Sequence, residues 1–170
     1  MKIRTNKFQK GFTIIEVMIV LAIAGVIIAA VLIAVPQLQK NQRNSSRRAI
    51  LGRVKTEIDN YIGNNNGTVP SSNAFASSNN CSSATPGTFV TKYLNPTSSF
   101  TDPNGSAVSY CVWSAAGNLP ANASGSTAAA VMYAAGHICS GESLDTTGTS
   151  RQYAVAIGLE GGATYCLDNQ

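Results

Sequence analysis

Charge is scarce in this sequence. Charged residues make up 12% of its 170 positions, where about 25% is usual for a soluble protein. Ser, Thr, Asn, Gly and Ala fill the gap, so the surface is expected to be polar but largely uncharged. Histidine occurs once, as His137; Cys139 would share its face of a strand, and two ligands do not make a metal site. No C-x-x-C pair occurs, which argues against zinc. A G-x-S-x-G elbow, a glycine-rich phosphate loop and a usefully spaced pair of acids are also missing. No catalysis, no cofactor and no bound metal are expected.

The charge that is present is segregated. The net charge of +4 comes from Lys2, Arg4, Lys7 and Lys10, and from Lys40, Arg43, Arg47, Arg48, Arg53 and Lys55. From residue 56 onward two basic residues, Lys92 and Arg151, face seven acidic ones, a net of −5. A basic chain ordinarily suggests nucleic acid. Here the cations flank an apolar run, so anionic lipid headgroups are the expected first partner. Lys40, Arg43 and Arg47 share one helical face, read as juxtamembrane charge or a solvated face. A DNA-binding stripe is the less favoured alternative, and contact with acidic patches on neighbouring copies a third.

Residues 12–35 are apolar except for Thr13 and Glu16. As a helix they would be about 36 Å long, against a hydrocarbon core of roughly 30 Å. A cleaved secretory signal usually has a shorter apolar region and a small-x-small site, so a membrane span is expected. The positive-inside rule is nearly tied, with basic residues on both flanks. The cysteines break the tie by placing the C-terminal part outside the reducing cytoplasm: Cys81, Cys111, Cys139 and Cys166 fit two disulfides, with four free thiols as the alternative. Three pairings are possible. Cys139–Cys166 is expected to tie the last strands together and Cys81–Cys111 to tie the long connection to the sheet, each contributing about 3 to 4 kcal/mol in the chain-entropy model.

Glu16 is the anomaly in the run, since an acid at the centre of a span costs roughly 2.5 to 3.5 kcal/mol. It could snorkel or protonate. A cut between Gly11 and Phe12 would instead create a cation, the Phe12 amine, about one turn away. The stretch KGFTIIEVMIVLAIAGVI, residues 10–27, resembles the N-terminal signature of type IV pilins and pseudopilins. That resemblance implies cleavage after Gly11 by a prepilin peptidase, N-methylation of Phe12, and pairing of Glu16 with that amine during assembly. Gly25 matches a helix-loosening glycine common in the family. A proline that family members often carry would fall on Ile33; here the nearest is Pro36, about a turn later.

Beyond Pro36, Ile50, Val54, Ile58 and Tyr61 recur at helical spacing, so the helix should run over 12–62, about 77 Å. GNNNGTVP, residues 63–70, stops it. Residues 63–107 read as a long connection with a short helix near 89–94, and TDPNGS, residues 101–106, as a turn. Strands are expected at 107–114, 128–139, 151–159 and 163–167, with a short hairpin at 160–162. The fold class is therefore α+β: a long N-terminal helix, transmembrane then amphipathic, packed on a small antiparallel sheet of about four strands. This again resembles the pilin head. The expected divisions are a leader (1–11), a transmembrane and assembly helix (12–35), an amphipathic half-helix (36–62) and a globular head (63–170).

Asn44, Asn66, Asn80, Asn104 and Asn122 open N-x-[ST] triplets, which arise easily in such a composition. Asp168 and Glu160 alone do not make the calcium cluster seen near the end of some pseudopilins. The resemblance implies a non-enzymatic structural subunit, held in the cytoplasmic membrane with its C-terminal domain outside and then packed into an extracellular type IV pilus. Its partners would be copies of itself, the prepilin peptidase, the inner-membrane assembly machinery and, before assembly, the lipid bilayer. Alternatives are a pseudopilin of a type II secretion system and an anchored binding module that never polymerises.

Overall fold

The computed structural model describes residues 11–94, 100–113 and 129–170. The basic leader residues Lys2 to Lys10, the Asn122 triplet and the adjoining ends of two expected strands lie outside these. Helix α1 is Ile14–Asn64, with Pro36 inside it. The contacts of the chain divide it into two compact units, one ending at Gln39 and the other running Lys40–Gln170.

In the first unit the apolar side chains of α1, from Ile14 through Leu38, stand exposed all round. A helix that is apolar on every side has no polar face to give to water. This stretch is long and apolar enough to cross a membrane.

In the second unit α1 is one-sided: Ile50, Leu51, Val54 and Ile58 are buried. Two short helical turns follow, α2 (Ser72–Phe75), capped by Ser71, and Val90–Leu94. The sheet has the order β1 (Ser109–Val112), β2 (Ala130–Ala135), β5 (Tyr153–Gly158), β6 (Thr164–Asp168). A second, two-stranded sheet pairs β3 (Ile138–Ser140) with β4 (Ser143–Asp145). Strand alternation sorts the residues by face. Tyr110, Val112, Val131, Tyr133, Tyr153, Val155 and Ile157 pack with the α1 residues in one core cluster. Their neighbours Cys111, Ala130, Met132, Ala134, Ala154 and Ala156 form the opposite face, covered by Trp113, Leu144 and the two disulfides.

The α+β class holds, with two corrections. The sheet is mixed, because β1 pairs β2 in parallel. Parallel neighbours need a crossover of a dozen or more residues, and the sequence separation of Val112 and Ala130 is long enough for one, where simple turns were expected. The expected strand at 128–139 is also two strands. Gly136 at φ 71° turns the chain, its N–H donating to Gln152 O, and the β3–β4 hairpin begins beyond it. His137 therefore lies in the turn, with Nδ1 2.6 Å from Ala135 O, and Cys139 is in a disulfide.

Candidate functional site

Thr13 and Glu16 close the start of α1 on each other. Glu16 Oε2 accepts from Thr13 N–H at 2.9 Å and from the Thr13 hydroxyl at 2.7 Å, while Thr13 Oγ1 accepts from Glu16 N–H at 3.4 Å. This is a capping box, T-x-x-E, in which each side chain satisfies a backbone donor of the first turn. The signal was legible as the residues TIIE. Phe12 is 88% exposed and, with Glu16, Val17, Val20 and Leu21, lines an open apolar hollow. Gly11 is exposed, and an added Cβ would meet nothing within 4 Å, so packing here sets no demand for glycine.

Within the second unit, the basic stretch of α1 meets acids of its own chain. Arg47, 0% exposed, donates from Nε to Asp102 Oδ1 at 2.7 Å, from Nη2 to Asp102 Oδ2 at 2.9 Å, and from Nη1 to Gly158 O at 3.3 Å. Arg43 donates to Glu160 Oε1 at 2.5 Å and Oε2 at 2.8 Å. Asn44 brackets the Glu160 backbone, accepting from its N–H at 2.8 Å and donating to its carbonyl at 3.3 Å. Arg48 lies over the Tyr165 ring and Arg53 over Phe100. The reading of a solvated, lipid-facing or DNA-facing stripe is thus corrected at Arg47, which is buried in a two-pronged ion pair, while Arg43, its side chain 32% exposed, makes a two-pronged pair with Glu160 nearer the surface.

Both acids sit on turns that place them. Asp102 opens the turn at 101–106, where its N–H donates to Ser106 O and Gly105 adopts φ 87°. Glu160 opens the β5–β6 hairpin turn, whose Gly161 and Gly162 have φ 101° and 88°. Sequence spacing could not reveal pairs separated by 55 and 117 positions.

The Arg43 guanidinium holds the Glu160 carboxyl below its ordinary value near 4.5. A carboxyl with a depressed folded-state value stabilises the fold above the unfolded value and loses that contribution as pH falls through the folded one. Below about pH 4.5 the head should therefore lose stability that Glu160→Gln does not lose. Thermal melts at pH 7 and pH 3.5 check this: the drop in Tm on acidification should be a few degrees smaller in the variant, and equal drops would contradict it.

Cys81 is bonded to Cys111 and Cys139 to Cys166, both on the alanine-rich face of the sheet. Asp168 Oδ2 accepts from Cys139 N–H at 2.8 Å. Among the described residues no group of three His, Cys, Asp or Glu could hold a metal ion. Burial, with Asp59 alongside, pushes the Tyr153 phenol well above its usual range, leaving it a neutral donor to Asp59 at 2.5 Å.

The family model for the prokaryotic N-terminal methylation motif matches residues 6–32. No curated protein and no solved structure matches the chain.

Proposed function

We propose that this chain, whose residues 6–32 match the prokaryotic N-terminal methylation motif, is a type IV prepilin-like structural subunit of an extracellular type IV pilus, assembled through its N-terminal helix after cleavage between Gly11 and Phe12. The observation that carries this is the methylation motif on a helix start where an exposed Phe12, the Glu16 carboxylate and an uncovered apolar surface come together. In the bilayer the apolar surface is solvated by lipid. In a fibre the same surface would be covered by the helices of other copies.

The Glu16 carboxylate gives assembly a polar fix. Once Gly11 is removed, the Phe12 amine is a cation, and burying it among apolar helices without an anion is costly. Both Thr13 donors bind Oε2, so Glu16 Oε1 can receive the ammonium while the cap stays closed. Prepilin peptidase and the inner-membrane assembly machinery are the further partners this reading requires. The disulfide-tied head, polar and sparsely charged, favours an exposed fibre over a periplasmic pseudopilus.

Processing gives a direct test. The mature chain should begin at Phe12, carry one added methyl group on its amine, and contain 159 of the 170 residues. Intact mass and N-terminal sequencing of the membrane fraction read this. A mature chain that begins at Met1, or beyond Val35, sinks the proposal.

A further inference from the structure

A groove of about 300 Å³ on the head is lined in part by Tyr61, Asn65, Thr88, Phe89, Lys92 and Tyr93. Phe89 and Tyr93 stack, 17° between planes and 5.2 Å between centroids. Tyr61 stands at 90° to Phe89 and 80° to Tyr93, 5.4 Å from each. Phe89 stacks in turn on buried Phe75, and Phe75 on buried Tyr133, so the ring corner is anchored in the core. Polar groups surround it. Asn65 Nδ2 donates to Tyr61 O, which leaves its Oδ1 to accept, and Thr88 is exposed. Lys92, also exposed, has its ammonium 5.5 Å from the Tyr93 centroid. No acid is among the described residues that line the groove, and Lys92 is one of only two basic residues beyond Lys55.

We propose that this groove binds a single acidic sugar residue, with its apolar ring face on the tyrosines and its carboxylate on Lys92. Aromatic side chains offer rigid apolar area with a polar tip, which suits a ligand that is apolar on its faces and polar on its rim. Lys92 adds a charge-assisted hydrogen bond to a carboxylate. The groove itself does not suit a polyanion such as nucleic acid: Lys92 is the one cation among the described residues that line it, and successive phosphates would find no further cation there. A lone carboxylate on a neutral glycan needs only that one cation. The site belongs to the head alone and does not depend on the filament reading.

The test uses the full chain in detergent micelles, with methyl β-glucuronide and methyl β-glucoside, which differ in carrying a carboxylate or a hydroxymethyl group on the ring. NMR titration should show the glucuronide shifting the Tyr61 and Tyr93 ring signals, with a Kd on the order of 1 mM. The glucoside should bind about fivefold more weakly, roughly 1 kcal/mol. Lys92→Gln, an exposed substitution that leaves the core intact, should erase the preference while keeping the ring shifts. The proposal is overturned by an absence of ring shifts with glucuronide, by equal binding of the two sugars, or by a preference that survives Lys92→Gln. It is equally overturned if a short single-stranded oligonucleotide binds these residues more tightly than the glucuronide.

Discussion

Glu16→Ala should leave processed subunit in the membrane and lower the yield of sheared fibres at least tenfold. Removing a carboxylate from lipid lowers the cost of the membrane-held state, so insertion should be intact or improved. Cleavage at Gly11 should persist, because the carboxylate lies outside the junction being cut. Assembly should fail, because the incoming Phe12 ammonium would be buried without its anion, a cost of about 3 to 5 kcal/mol. The capping box complicates this variant, since alanine also removes the acceptor for Thr13. Glu16→Gln separates the two roles. Glutamine serves in a capping box but carries no charge. If charge pairing is the role, Gln should lose fibres as Ala does; if capping is the role, Gln should assemble like wild type. Quantifying sheared fibres and membrane subunit for all three chains decides it.

Asp102→Ala should destabilise the head by about 3 to 5 kcal/mol, the cost of leaving a buried guanidinium without its partner. Arg47 is fully buried, and its other contacts, Gly158 O at 3.3 Å and Glu160 at 4.0 Å, are too long to replace a two-pronged ion pair. For a domain of this size that is a drop in Tm of about 10 °C or more. Replacing both partners with apolar residues, Arg47→Met with Asp102→Leu, should recover most of the loss, since a buried pair is expensive to break but not to replace. Circular dichroism melts of the chain in micelles measure both. A drop of only one or two degrees for Asp102→Ala would show that the pair is not held away from water.

What a single sequence displays, and what it hides, can be seen residue by residue. Composition and length revealed the apolar helix, the spacing of Ile50, Val54 and Ile58 revealed its buried face, and the alternation Tyr153, Val155, Ile157 revealed a core strand. Each is a local periodicity, and local periodicity is what a single sequence displays. The methylation motif matched at residues 6–32, which contains Gly11, Phe12 and Glu16, is equally local. The parallel β1–β2 pairing was hidden because strand direction depends on where the chain goes between strands, and the β3–β4 hairpin because apolar residues run on through Gly136. Arg47 was misread for a related reason. On its helix it continues a row of cations, and only the turn carrying Asp102, folded against it from 55 positions away, makes it a core residue.

As proposed, the chain polymerises after processing. The most direct test of this is electron microscopy of material sheared from the cell surface, joined to intact-mass analysis of the main subunit. The account predicts thin filaments built from a chain that begins at methylated Phe12 and retains both disulfides. Surface material without filaments, while cleaved, disulfide-bonded subunit accumulates in the membrane of cells with a working assembly system, would contradict it.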